Sequence, residues 1–189
     1  MSLLCKWGAH RWAANHCLSC GKERPDPKPF KLTTIGNQTW MAEDLDVDRF
    51  RNGDPIPEAK SIKEFQEKGG KGLPAWLGII RGGTHVREYN WFAVNDERGL
   101  APSGWRIPSV TDFEIMFRAV DRQDLIAKDQ GGTDARGFSG LSTTEYWTST
   151  RRWFNPPTAF SFGLRGSDGA ITKTTQEQSE GCFVRCIRE

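Results

Sequence analysis

The chain has 189 residues, of which 26 are Lys or Arg and 24 are Asp or Glu, so its formal net charge is only +2. Charges this close to balance exclude a strong global attraction to nucleic acid or to an anionic membrane surface. No stretch approaches the roughly 20 apolar residues of a membrane-spanning helix, and the length suits one ordinary domain with a small appendage.

The first two dozen residues contain a motif typical of a zinc site. Cys5, His10, Cys17 and Cys20 have the spacing C-x4-H-x6-C-x2-C, and three thiolates with one imidazole form a closed set that Zn²⁺ prefers. Because so short a segment buries little apolar surface, structural zinc is the expected cofactor. His16 is the alternative to His10, and three free thiols in a flexible tail are the alternative to a metal. We predict a zinc-knuckle module over residues 1–24.

The N-terminal segment is also the basic part of the chain. Residues 1–31 carry six Lys or Arg against two Asp or Glu, which raises nucleic-acid contact through the knuckle as an alternative role. A basic knuckle is more often a protein contact or a folding device, so nucleic acid is not the expected partner. Leu3 and Leu4 are followed at once by Cys5 and Lys6 rather than by the apolar core of a signal peptide. We therefore expect a cytoplasmic protein, or one assembled on a phage particle.

Alternating prolines at residues 25–29 form a stiff connector, and we place the domain boundary there. The main domain, residues 30–189, is predicted to begin with a hairpin of two strands, 30–35 and 38–43. Gly36 and Asn37 suit the positive φ of a tight turn between them.

Two helices are predicted, at residues 61–68 and 109–120. The second has the stronger signal, because Thr111 with Glu114 fits a capping box. Its apolar residues also recur at helical spacing, which predicts a stripe buried in the core. That stripe consists of Val110, Phe113, Met116, Phe117 and Val120.

The C-terminal part is predicted to form an antiparallel sheet. Its strands, at residues 145–148, 158–164, 170–174 and 182–188, are short, rich in aromatic or β-branched residues, and separated by turn-forming residues. Strands and helices are segregated rather than alternating, so the predicted fold class is α+β.

Several segments of the main domain carry a family resemblance. They include Gly36-Asn37-Gln38-Thr39-Trp40-Met41, Gly104-Trp105-Arg106-Ile107-Pro108-Ser109, Tyr146-Trp147-Thr148-Ser149-Thr150 and Val184-Arg185-Cys186-Ile187-Arg188. In this order, residues 30–189 closely resemble the Fibrobacter succinogenes major paralogous domain. The resemblance implies a C-type-lectin-like fold, in which two or so helices pack beside a twisted antiparallel sheet. Family members generally look like exported proteins of poorly defined activity, so the knuckle and the missing signal are departures, as is the segment at residues 77–83.

C-type-lectin-like domains are also similar to the variable proteins that retroelements diversify in phages and their hosts, which implies a ligand surface at residues 150–167. Strand alternation places Phe160, Phe162 and Leu164 on one face, and we expect the opposite face and the preceding loop to contact a protein or glycan ligand. The predicted ligand-binding residues are Arg151, Arg152, Trp153, Asn155, Ser161, Gly163 and Arg165.

Catalysis is not expected. Formylglycine-generating enzymes share the lectin-like fold and use a cysteine pair, so an oxidase built on Cys182 and Cys186 is the alternative function. On one strand, however, residues four apart lie roughly 13 Å from each other, beyond disulfide reach. Calcium-dependent sugar binding lacks its usual motifs, since the chain has only Asn155-Pro156 and Asn95-Asp96. The sequence leaves the ligand and the oligomeric state open.

Overall fold

The computed structural model describes residues 30–81, 83–138, 144–152, 157–165 and 170–189, together with two N-terminal strands. These are β1 (Trp12–Ala13) and β2 (His16–Cys17), which pair antiparallel with Trp12 opposite Cys17. Cys5, His10, Cys20 and the side chains of His16 and Cys17 lie outside the described residues, as does the connector. The zinc site and the domain boundary therefore stay predictions.

The main domain opens with the predicted hairpin. Its strands are β3 (Leu32–Ile35) and β4 (Gln38–Met41), and Gly36 has the positive φ, 60°, that the turn requires. The other edge of β4 pairs with β13 (Ile187–Arg188), which pairs in turn with β8 (Trp105–Arg106). The first sheet therefore joins the two ends of the domain in the order β3-β4-β13-β8.

A second sheet is built on a long hairpin that the sequence did not predict. Its strands are β6 (Trp76–Arg81) and β7 (Thr84–Asn90). The edge strands are short, with β5 (Glu58–Ala59) parallel to β6 and β12 (Gly181–Cys182) antiparallel to β7, so the sheet order is β12-β7-β6-β5. The segment 77–83, noted only as a departure from the family pattern, supplies most of β6, residues 77–81.

The third sheet has the order β11-β10-β9, with β9 (Thr144–Arg152), β10 (Thr158–Arg165) and β11 (Ala170–Glu177) all antiparallel. The predicted antiparallel arrangement is confirmed, although β9 and β11 are longer than predicted. The prediction of one strand at residues 182–188 is wrong, because β12 and β13 belong to different sheets. Backbone hydrogen bonds between Trp147 and Phe183 (2.9 Å), and Phe183 and Glu145 (3.0 Å), join β9 to the chain beyond β12.

Three α-helices lie within the described residues, which makes the domain mixed α+β with mostly strands. They are α1 (Ile62–Gly70), α2 (Trp91–Val94) and α3 (Val110–Ala119). The capping box of α3 is made by Ser109 and Asp112, not by Thr111 and Glu114. The helix begins at Val110, so Ser109 is the N-cap and Asp112 the third helical residue. No described helix has the length and apolar character needed to cross a membrane.

The predicted stripe on α3 does enter the core. Phe113 and Met116 are buried, and Val110, Phe117 and Val120 pack against the same cluster. That cluster also contains Trp40 from the first sheet and Phe162 from the third, with ring centroids 5.2 Å and 5.0 Å from the ring of Phe113. The helix thus connects two sheets through aromatic contacts.

A buried ion pair ties together parts of the chain that are far apart in sequence. The side chain of Arg185 is only 3% exposed, and its Nε donates to Oδ1 of Asp44 at 2.9 Å. The guanidinium also donates to the carbonyl oxygen of Phe138 and lies 4.4 Å from the centre of that ring and 5.3 Å from that of Tyr146. Burial lowers the pKa of this guanidinium, but Asp44, together with Tyr146 and Asp134, raises it by more, so the pKa is raised overall.

Candidate functional site

The two arginines at the end of β9 point to opposite sides of the third sheet. Both are exposed, but Cζ of Arg151 lies 5.8 Å from the ring centre of Trp91, whereas Cζ of Arg152 lies 6.0 Å from that of Phe160. Successive side chains on a strand alternate between faces. The predicted ligand-binding residues are therefore divided between two surfaces rather than gathered on one.

The surface around Arg152 consists of Arg152, Phe160 and Lys173, which we call the ring face. Phe160 is half-buried, and the ammonium of Lys173 lies 5.3 Å from its ring centre, on the strand beside it. Both cations are within the roughly 6 Å at which an aromatic ring attracts a positive charge. Nζ of Lys173 also bonds Oε1 of Glu114 on α3 at 2.9 Å, which holds the ammonium beside the ring.

The core beneath the ring face fixes its position. Phe162 follows Phe160 by two residues on β10 and packs against Phe117 on α3, with ring centroids 5.4 Å apart. The backbone N–H of Val110, at the start of α3, donates to Oγ1 of Thr150 on β9 at 3.1 Å. Because β9 and β10 are both tied to the same helix, Arg152 and Phe160 sit on a rigid platform.

The opposite side of the sheet carries a carboxylate held by hydroxyl groups. The Oγ of Ser161 donates to Oε2 of Glu145 at 2.8 Å, and Oγ1 of Thr174 donates to the same oxygen at 3.2 Å. Gly163 leaves room for this arrangement, since a Cβ there would lie 2.7 Å from both Oε1 of Glu145 and Oγ1 of Thr172.

The alternation predicted for β10 is therefore present, but it does not put Ser161 and Gly163 at the surface. Both residues are buried, because Ser161 bonds Glu145 and Thr174, and Gly163 faces the side chains of Glu145 and Thr172. Neither is therefore placed to touch a partner directly. Trp153 and Asn155 lie outside the described residues, as does the side chain of Arg165. Their part in a ligand surface stays a prediction.

The two cysteines considered for oxidase chemistry, Cys182 and Cys186, are buried, and no disulfide bond joins them. Burial raises the pKa of Cys186 to about 12 and raises that of Cys182 as well, with Glu145 adding to the effect at Cys182. Both thiols are thus protonated near neutral pH, and the thiolate is the reactive form. Within the part of the chain that the structure describes, no three His, Cys, Asp or Glu side chains are grouped to hold a metal ion.

Sequence reasoning missed Phe160 and Lys173 as members of a surface. The alternation of side chains along β10 predicts that Phe160 is on the buried side of the strand. Phe160 does share that side with Phe162, but it lies beyond the end of the aromatic cluster that contains Phe162 and Phe113. Lys173 reaches Phe160 only through the register of β10 with β11, in which Phe160 is opposite Thr175. That register cannot be derived from the residues of either strand alone.

A family model, the Fibrobacter succinogenes major domain, matches residues 33–170, well over half of the chain. The chain belongs to the Fibrobacter succinogenes major domain family. The match confirms the family resemblance carried by the sequence motifs, and it includes Arg152 and Phe160 of the ring face. No curated protein and no solved structure matched the chain in the corresponding comparisons.

Proposed function

We propose that this member of the Fibrobacter succinogenes major domain family is a non-catalytic binding module with a C-type-lectin-like fold, and that its ligand surface is centred on the ring face. The observation that carries the proposal is the placement of two cations, Arg152 and Lys173, against the half-exposed ring of Phe160. Arginine and aromatic side chains are enriched among the residues that dominate binding energies.

The charges of the ring face indicate the chemistry of the ligand. A guanidinium presents paired donors to a carboxylate or a sulfate, and an ammonium adds a point charge beside it. The ring offers an apolar surface on which a sugar or a side chain can rest. The proposed ligand is therefore a protein or glycan that carries anionic groups. Trp153, Asn155 and Arg165 are the proposed extensions of the surface in the adjoining loops.

The state of the cysteines supports a non-catalytic role. An oxidase needs a thiol that ionises and that its substrate can reach, whereas Cys182 and Cys186 are both buried with raised pKa values. We propose that both are packing residues of the core. The zinc knuckle, built on Cys5, His10, Cys17 and Cys20, is proposed to be a structural appendage of the binding domain.

We further propose that the ligand surface is diversified by a retroelement, as in the variable proteins of phages and their hosts. This idea predicts a reverse transcriptase gene nearby and an imperfect second copy of the codons for residues 145–189. Finding neither would reject diversification, while leaving the binding role to be tested on the protein itself.

Binding can be tested by probing the purified protein against arrays of sulfated, carboxylated and neutral glycans and of acidic peptides. We expect anionic probes to bind, and Arg152→Ala with Lys173→Ala to weaken that binding by about tenfold or more. The matched control is Lys63→Ala, which removes an exposed cation on α1. Arg151→Ala tests the other side of the sheet. Binding that survives the double substitution, or that is equally weakened by the control, would refute the ring face as the ligand site.

A further inference from the structure

The outer edge of β11 has no partner strand among the described residues. β11 is the last strand of the order β11-β10-β9, and all eight of its residues pair with β10 on the other side. Every second residue of such an edge directs its backbone N–H and C=O groups away from the sheet. The edge is therefore a template for one more strand.

Proteins usually prevent edge pairing with very short strands, charged side chains, prolines or bulges. The edge strands β5 and β8 follow this rule, with two residues each. β11 lacks most of these features, because it is eight residues long, contains no proline, and pairs with β10 without any shift of register. Its exposed charges, Lys173 and Glu177, are of opposite sign, so they exclude only those registers that bring like charges together. The bulge of this sheet lies on the other side, between β10 and β9.

The side chains of β11 fit a second copy of the same strand. When a two-fold axis relates two antiparallel strands, each residue of one strand lies opposite a residue of the other strand whose side chain is on the same face of the sheet. If the axis passes through Thr175, then Lys173 of each copy lies opposite Glu177 of the other, and Thr175 lies opposite itself. Opposite charges and paired threonines are favourable across strands. An axis through Lys173 would instead place two ammonium groups against each other.

We propose that β11 is a dimerisation edge, at which it pairs antiparallel with β11 of a second copy of this chain in the register centred on Thr175. The contact is isologous, so it closes after two copies and uses each edge once. It continues the third sheet from one copy into the other. The proposal does not rest on the ligand suggested for the ring face, but Lys173 belongs to both surfaces, so the test is carried out without added ligand.

The test is a charge swap followed by sedimentation velocity over a concentration series. Wild type is expected to show a monomer–dimer equilibrium. Glu177→Lys creates two symmetric Lys–Lys pairs and should raise the dimer Kd by about tenfold. Adding Lys173→Glu restores opposite charges and should recover most of the dimer. The recovery separates the register from a folding defect, because a misfolded single variant would not be rescued by a second charge change.

Glu67→Lys provides the matched control, since it makes on the exposed face of α1 the same change from acid to base that Glu177→Lys makes on β11, and it should leave the dimer unchanged. A wild-type protein that is monomeric throughout the series would overturn the proposal. So would a dimer that is indifferent to Glu177→Lys, because its interface would then lie elsewhere, or open-ended oligomers, which a closed edge contact does not produce.

Discussion

Removing the carboxylate from the buried ion pair should destabilise the whole domain. In Asp44→Ala, the Arg185 guanidinium would keep the Phe138 carbonyl and the two rings as neighbours but lose its counter-charge. The side chains of Arg185 and Asp44 are only 3% and 12% exposed, so water cannot replace the lost partner without opening the core.

The expected cost is about 3–5 kcal/mol, the range measured when one member of a buried pair is deleted. This is a large share of the roughly 5–15 kcal/mol that stabilises an ordinary domain. The neighbouring residue supplies the control, because Glu43 pairs with Lys31 at 2.8 Å on the surface, with side chains 41% and 73% exposed. Glu43→Ala should cost less than about 1 kcal/mol.

Urea denaturation followed by tryptophan fluorescence measures the free energy of unfolding, and the eight Trp residues give a strong signal. The double variant Asp44→Ala with Arg185→Met removes both charges and should be more stable than the sum of the single effects predicts. Two results would show that the ion pair does not stabilise the domain as we describe. One is a cost of Asp44→Ala no larger than that of Glu43→Ala. The other is a double variant whose loss of stability equals the sum of the losses in Asp44→Ala and Arg185→Met.

Three further outcomes follow from the geometry. Burial opposes ionisation of Asp112, but Arg106 and Ser109 hold its pKa down to about 2 against an ordinary 3.8, so Asp112→Asn should lose about 1–2 kcal/mol near neutral pH. Urea titrations should show that difference shrinking as the pH falls from about 4 toward 2. Burial raises the pKa of Glu88, so wild type should lose stability relative to Glu88→Gln as the pH rises through that raised pKa; a constant difference would contradict this. Gly69→Ala places a Cβ 2.7 Å from both Cα and Cβ of Ser179, in the turn after β11, and should cost about 1–3 kcal/mol in a thermal melt. Gly70→Ala places its Cβ within 4 Å of no other atom and should gain about 0.5–1 kcal/mol.

Short sequence patterns were sufficient to predict those elements that form through interactions between residues close together in the chain. The hairpin around Gly36 needs only a residue that tolerates positive φ between two apolar strands. Helix α3 shows its buried stripe in its own spacing, and the structure places Phe113 and Met116 in the core as expected. Its capping residues were misassigned because Ser109, Thr111 and two acidic residues offer overlapping versions of the same pattern.

Features that depend on register could not be predicted from one chain segment. The hairpin of β6 and β7 is half-buried along most of its length. Its residues therefore lack the clear alternation of apolar and polar side chains that identifies a strand with one face exposed to solvent. The division of Arg151 and Arg152 between two surfaces requires knowing that β9 continues through both residues. The buried state of Ser161 depends on Glu145 and Thr174, which reach it only from the neighbouring strands.

The first sheet also constrains when the domain can fold during its synthesis. β4 lies between β3, its neighbour in the chain, and β13, whose Ile187 pairs with Trp40. When the ribosome has synthesised the chain only as far as β11, β13 has not yet been made, so one edge of β4 lacks its partner strand. Asp44 also lacks its ion-pair partner, Arg185. Such long-range pairings are associated with slow folding. The domain is therefore expected to complete its core only after release of residue 188 from the ribosomal tunnel, and to need protection from aggregation until then.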